Sequence, residues 1–295
     1  MHYLITGGSG FIGSALCRSL SADGHRVTVL TRSAERAKSK LPGEIVLVER
    51  LDGLAEVDAV VNLAGENLAG GRWSDARKRE FVDSRVGTTR RLVAWMTELA
   101  RRPRVLVSGS AVGWYGPRGD EKLSEDAEPG NDFPAHLCRD WEAEARKAEA
   151  LGVRVCLIRT GIVLDTDGGA LRQMLLPFRL GFGGPMGDGR QWMSWITRAD
   201  EVALIRWLVD HAEASGAYNG TAPSPVTNSE FAAALGRAVN RPAFLRTPAF
   251  ALQFLFGEMA DILLTGQRVL PTRAAAGGFV FRYPELTPAL AAVLA

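Results

Sequence analysis

The chain predicts an α/β protein, a doubly wound parallel sheet with helices on both faces and a second, smaller C-terminal lobe. Three observations carry this. A short apolar run, Tyr3-Leu4-Ile5-Thr6, passes directly into Gly7-Gly8-Ser9-Gly10-Phe11-Ile12-Gly13. Apolar runs of strand length then alternate with stretches of helical periodicity to about residue 165, the order of parallel strands joined by helical crossovers. Beyond that point the character changes to a glycine-rich stretch and then mostly helical patterns.

The opening run reads as a buried first strand, a tight glycine turn and the first turn of a helix. Gly7 suits the sharp turn, Gly10 lets backbone amides approach a pyrophosphate, and Gly13 lets the helix pack close to the strand. The free amides and positive dipole end of such a helix hold phosphate charge. Ile12, Ala15, Leu16 and Leu20 fall at helical spacing, Gly24 suits the helix end, and Arg26 to Leu30 reads as a second strand. A strand, glycine turn, helix and strand together point to dinucleotide binding, with Gly7, Gly8, Ser9, Gly10, Phe11, Ile12 and Gly13 at the cofactor.

Thr31, Arg32 and Ser33 follow the second strand, where the adenosine ribose is met. A carboxylate there would bond the 2′-hydroxyl and repel a 2′-phosphate, whereas an arginine pairs with that phosphate. Arg32, with no carboxylate until Glu35, therefore favours NADP(H) over NAD. Glu44 to Val48 reads as a third strand. Asp58 to Gly65 is a fourth, ending in small residues that bring Leu63, Ala64 and Gly65 against the cofactor. A helical pattern runs from Ser74 to about Ala100, with Glu80, Ser84 and Thr88 on one face and Arg85 beside them. Val105 to Ser108, the fifth strand, leads into Gly109-Ser110-Ala111-Val112-Gly113-Trp114-Tyr115-Gly116, at the sheet edge where chemistry usually sits. The acidic segment from Gly119 to Pro134 reads as a loop covering the site. A helix from about Ala135 to Ala150 and a sixth strand, Val153 to Ile158, complete the main domain.

We expect this cofactor domain over residues 1–165 with about 191–222, and the smaller substrate lobe over about 166–190 and 223–295. The loop from Pro177 to Gln191, with Gly181, Gly183, Gly184, Gly187 and Gly189, reads either as a pocket wall or as a plain connector. Phe250 to Leu264 reads as a core helix or helix pair, because Gly257, Glu258 and Asp261 interrupt it.

A formal net charge of +2 with 23% charged residues gives no sign of a nucleic-acid partner. Cys17, Cys138 and Cys156 show no spacing for a metal or redox pair and fit a reducing compartment. No signal peptide precedes the first strand. These features predict a soluble, cytoplasmic protein without a membrane partner; the sequence leaves oligomeric state open.

Taken with Asn62-Leu63-Ala64-Gly65, Ser108-Gly109-Ser110 and Arg159-Thr160-Gly161, the glycine motif makes the whole chain resemble an extended short-chain dehydrogenase/reductase. More narrowly, it resembles the atypical epimerase-family group, through Asn62-Leu63-Ala64-Gly65-Glu66-Asn67, Leu176 to Gly181, Gly187 to Gln191, Trp195-Ile196 and Gly266 to Pro271. The resemblance implies a Rossmann domain holding NADP(H), with the backbone at Ile162 and Val163 near the nicotinamide amide. In the wider family a tyrosine, a lysine four residues later, a serine and an asparagine handle the substrate proton. Counting back from Glu142 puts Pro134 and Cys138, or Phe133 and Leu137, where tyrosine and lysine belong. An unaided phenol titrates near 10, so this site needs other groups. The resemblance keeps the serine as Ser110 and brings Ser84 or Arg85 to the asparagine position.

Ser110, Arg85, Tyr115 and Cys138 are therefore the catalytic candidates, with His136 a further proton donor, and Glu80, Arg85, Ser110 and Val163 are placed with the cofactor. Two function classes follow. One is an NADP(H)-dependent oxidoreductase or sugar-nucleotide epimerase-like enzyme acting on a small polar or nucleotide-linked molecule. The other is a protein that senses NADP(H) without turnover.

Overall fold

A computed structural model of the protein describes residues 1–54 and 56–295. Seven strands form one sheet: β1 (His2–Thr6), β2 (Arg26–Leu30), β3 (Val46–Val48), β4 (Ala59–Asn62), β5 (Val105–Ala111), β6 (Arg154–Thr160) and β7 (Gly216–Gly220). Their order is β7-β6-β5-β4-β1-β2-β3, and every pairing is parallel. Both faces of such a sheet must be covered, so successive residues of one strand enter different cores. Tyr3, Ile5, Val29, Val61 and Val107 pack with α1 (Phe11–Ala22), through Leu16 and Leu20, and with the later helix Arg198–Asp210. Leu4, Val60, Leu106 and Leu157 pack on the opposite face with Leu92 and Met96.

The chain leaves β1 toward β3 and then returns across β1 to β4, continuing outward to β7. The direction of winding reverses between β1 and β4, and the crevice at their carboxyl ends is where such sheets bind ligands. A short helix, α2 (Ala34–Lys38), follows β2. The helical stretch expected after Trp73 is interrupted: α3 (Asp75–Val82) passes through one π-helical turn, Asp83–Gly87, into α4 (Thr88–Glu98). A π turn widens the helix by one residue and is a local device found often at functional sites. Here it carries Ser84 and Arg85.

After α5 (Phe133–Arg146) and β6, α6 (Gly169–Arg179) runs through Pro177, which sits in its last turns. The expected glycine loop therefore begins at Leu180 rather than Pro177, the helix running past the one backbone bond that a proline without an N–H cannot make. α6, α8 (Asn228–Ala238) and the terminal helix Leu286–Leu294 share a core of Leu171, Phe178, Trp195, Phe231 and Leu290, with α7 (Arg198–Asp210) between them in sequence. Phe250 to Leu264 is a helix pair, α9 (Ala249–Phe256) and α10 (Ala260–Leu264), joined at Gly257–Met259. Ala274 and Phe279 rejoin the core under α1 and α7. Part of the acidic loop is pinned to this C-terminal region, Lys122–Leu123 pairing with Arg268–Val269. Among the described residues no helix is long and apolar enough to cross a membrane.

Candidate active site

The glycine turn leaves β1 with Gly7 at φ +67°, a left-handed conformation that a side chain disfavours, and a Cβ there would collide with the Leu63 carbonyl. A Cβ on Gly13 would strike the Gly7 carbonyl, so the first turn of α1 packs against the loop only with glycine in that place. Gly8 backs onto Val29. The result is a bare floor of backbone where β1 meets β4.

Two cavities adjoin over this floor and share Gly7, Gly10, Leu63 and Gly65. The outer, of about 920 Å³, reaches past Ser9 and Ala64 to Thr31 and Arg32, with Glu80 on its far side. The inner, of about 630 Å³, runs past Ile12 to Ser110, Cys138 and Arg85. Most of the sequence-derived residues are thus gathered along one crevice; Gly8, buried against Val29, lines neither cavity, and four others are displaced. Ser33 caps α2, accepting a hydrogen bond from the Arg36 amide. Val163 is buried, and it is Ile162 beside it that lines the inner cavity. His136 is exposed on the surface of α5.

Tyr115 is the fourth, and its placement corrects its candidacy as proton donor. It is fully buried, and its hydroxyl donates to Asn219 Oδ1 at 2.6 Å and accepts from Arg159 at 3.1 Å. Burial pushes the phenol up to about 12. The four-residue turn after β5, Val112–Tyr115, turns this ring away from the cavity and toward Asn219 on the edge strand.

Ser110 does reach the inner cavity, but its hydroxyl proton is committed. Oγ donates to Glu142 Oε1 at 2.7 Å, and Glu142 is held by Arg159 through Nε at 2.8 Å and a second nitrogen at 3.0 Å. Both members of this ion pair are buried, and Arg159 also lies 3.9 Å from the Trp114 ring centroid. Ser110 consequently offers the cavity a lone pair, an acceptor for an N–H or O–H.

On the next strand Thr160 makes a second hydroxyl–carboxyl pair. Its Oγ1 lies 2.6 Å from Glu201 Oε1, and Thr160 lines the inner cavity. Glu201 is fully buried with Oε2 lacking any hydrogen-bond partner, and desolvation pushes its carboxyl up to about 8. At neutral pH Glu201 is thus mostly protonated, while the Thr160 hydroxyl donates to its Oε1.

Cys138 donates its Sγ–H weakly to the Ala111 carbonyl at 3.7 Å, and burial raises the thiol to about 11. At neutral pH it is an unreactive thiol in the cavity wall.

Arg85 is positioned by a buried polar chain. Thr6 Oγ1 donates to Asn62 Oδ1 at 2.6 Å, Asn62 donates to Thr89 Oγ1 at 2.8 Å, and Thr89 donates to the Arg85 carbonyl at 2.8 Å. The Arg85 guanidinium then reaches back to the Glu66 carbonyl at 2.9 Å and lies 5.4 Å from the Trp141 ring centroid. Ser84 accepts from the Glu66 amide at 3.0 Å.

Glu142, Glu201 and Trp141 are the residues that sequence reasoning passed over. A signal was present for both acids: Glu142 follows Cys138, and Glu201 precedes Ile205 and Leu208, on the apolar stripes of their helices.

A parallel sheet wound in both directions, with a bare glycine floor at its switch point, defines a dinucleotide-binding protein. The comparisons narrow the class. The NAD dependent epimerase/dehydratase family model matches residues 3–219 and a domain of unknown function, DUF1731, matches 247–293. The chain belongs to the NAD dependent epimerase/dehydratase family. The Epimerase family protein SDR39U1 homolog, chloroplastic, of Arabidopsis thaliana is 42% identical over 303 residues, covering 100% of this chain and 87% of that protein. The Epimerase family protein SDR39U1 of Mus musculus is 40% identical over 300 residues and covers 100% of both. The crystal structure of human epimerase family protein SDR39U1 (isoform 2) with NADPH superposes with TM-score 0.91 at 38% identity, covering 99% of each chain.

Proposed function

We propose that the crevice binds NADP(H) and that the protein is an oxidoreductase or epimerase-like enzyme acting on a small molecule in the inner cavity. The observation that carries this is the meeting of the two cavities over the glycine floor. A dinucleotide whose adenosine end lies at Thr31 and Arg32 has its other end directed toward Ser110 and Thr160. The residues fit such a cofactor: no side chain projects from Gly7, Gly10 or Gly13, and the Arg32 side chain is 92% exposed at the outer end. Arg32 lies 3.6 Å from Glu66, an exposed pairing weak enough to be exchanged for a 2′-phosphate. The NADPH in the human relative supports the choice of phosphate-bearing cofactor.

When bound, a nicotinamide supplies hydride transfer. This chain's residues supply the rest. Arg85 donors hold negative charge on the substrate. Ser110, polarised by Glu142, accepts from a ligand N–H or O–H. Glu201 lies behind Thr160 and is mostly protonated at neutral pH; with the Thr160–Glu201 hydrogen bond reversed so that the carboxyl donates, it serves as a proton store in place of the tyrosine and lysine of the wider family. Three free, buried cysteines support a reducing, cytoplasmic setting.

Sensing without turnover is favoured by one observation: among the described residues, no tyrosine or lysine lines the inner cavity. A panel of carbonyl and sugar-nucleotide substrates, assayed by NADPH oxidation, separates the two readings. Turnover that falls about a hundredfold in Ser110→Ala and Thr160→Val, the scale of a lost proton-handling group, supports the enzyme. No turnover on any member of the panel, with NADPH still bound, supports the sensor. Arg32→Ala is expected to weaken NADPH about tenfold and leave NADH unchanged, the worth of one charge-assisted contact.

A further inference from the structure

The inner cavity contains a charge that its own protein groups do not balance. Arg85 is its one cation, and among the described residues no carboxylate lies within 4.0 Å of the guanidinium. Two of its N–H groups are used, on the backbone carbonyls of Glu66 at 2.9 Å and Phe81 at 3.4 Å. A guanidinium carries five N–H donors, and among the described residues the other three have no protein acceptor. Arg159, a few residues away in space through Trp141 and Glu142, is fully matched by a bidentate carboxylate. Burial pulls Arg85 below its ordinary value, the mark of a charge whose lost hydration is only partly replaced.

What surrounds Arg85 is apolar. Leu68, Trp73, Phe133, Pro134 and Leu137 form one wall, and Ile262 of α10 faces them from the C-terminal region. The acids at the rim are occupied or open to water. Glu258 is tied to Lys78 at 2.7 Å, Asp132 caps α5 by accepting from the Ala135 amide at 3.0 Å, and Asp261 is exposed. A sugar diphosphate would bring two phosphates and a ring of hydroxyls to a space with one cation and few polar side chains. A single carboxylate on an apolar body matches it in charge and in surface. The planar guanidinium, flat over Gly65, is shaped for a carboxylate's two oxygens.

From this we infer that the inner cavity binds a small carboxylic acid with an aromatic or alkyl body, its carboxylate on Arg85 and its body against Leu68, Trp73 and Phe133. The assignment rests on the outer cavity being the cofactor site, and it names the substrate class for that reading. It leaves Ser110 and Thr160 on the same cavity for the reacting part of such an acid, and it disfavours nucleotide-linked sugars.

Isothermal titration calorimetry of the full chain, loaded with NADP+, tests it with 3-phenylpropionate and octanoate as probes and their neutral amides as controls. The acids are expected to bind at least about tenfold more tightly than the amides, the scale of a hydrogen-bonded charge. Arg85→Ala should abolish that preference, and Arg85→Lys should restore part of it. Equal binding of acid and amide, a preference that survives Arg85→Ala, or no saturable binding of either acid overturns the inference. NADPH titration of the same preparations keeps the two readings apart. NADPH binding without acid preference removes the acid site and leaves the cofactor reading standing. Absence of NADPH binding removes the cofactor reading, and the acid titrations of the unloaded protein then decide the Arg85 site independently.

Discussion

Arg159→Met is expected to lower the free energy of unfolding by about 3–5 kcal/mol, the cost of leaving one member of a buried ion pair without its partner. Arg159 and Glu142 are 3% and 2% exposed, and the pair is bidentate. Arg159 also donates to the Glu125 carbonyl at 3.0 Å and to the Tyr115 hydroxyl at 3.1 Å. Its removal strands the Glu142 carboxylate, which keeps only the Ser110 hydroxyl as a donor. Adding Glu142→Leu to Arg159→Met should recover a large part of the loss, because the uncompensated charge disappears with the second substitution. Urea titration of the three proteins reads this directly. A single variant within about 1 kcal/mol of the parent, below the usual range for broken buried pairs, would show that Glu142 is not held as an ion in the native state.

Glu201→Gln is expected to stabilise the protein by an amount that grows with pH. Glu201 is fully buried with no cation beside it among the described residues, and desolvation pushes its carboxyl up from 4.5 to about 8. Between those values the folded chain keeps a proton that the unfolded chain has released. Raising the pH across this window therefore favours unfolding, by about 1.4 kcal/mol per pH unit, and on the order of 4–5 kcal/mol in all. Below the window both states are protonated and the cost vanishes; above it the cost is complete. Glutamine keeps the shape and the contact with Thr160 without the ionisation. Urea midpoints of parent and variant at pH 5, 6, 7 and 8 should diverge steadily. A difference that stays constant with pH would mean that Glu201 finds a stabilising partner when it ionises.

The elements were legible in the sequence where the signal is local. Tyr3 to Thr6 followed by Gly7, Gly10 and Gly13 specifies a strand, a left-handed turn and a close-packed helix start, each with a steric cause that the coordinates repeat at Gly7 and Gly13. Apolar runs of strand length between helical stretches likewise foretold a sheet covered on both faces. What was not legible is direction. Tyr115 is five residues from Ser110, yet a 3-10 turn at Val112–Tyr115 sends its hydroxyl to Asn219, on the outermost strand. The π turn that presents Arg85 leaves no mark in residue pattern, because one extra residue in a helix shifts the periodicity without any special composition. Glu142 and Glu201 were visible as charges on apolar stripes, but their partners, Arg159 and Thr160, come from β6 and are joined to them only by the fold.

The central claim is that the outer cavity is built for a phosphate-bearing dinucleotide, with Arg32 at the 2′-phosphate. Side-by-side titration of the purified protein with NADPH and NADH, followed by quenching of tryptophan fluorescence, tests it most directly. Binding of NADPH at least about tenfold tighter than NADH, a preference lost in Arg32→Ala, is the predicted result. Equal affinities for the two cofactors in the parent protein, or no quenching by either, would contradict it.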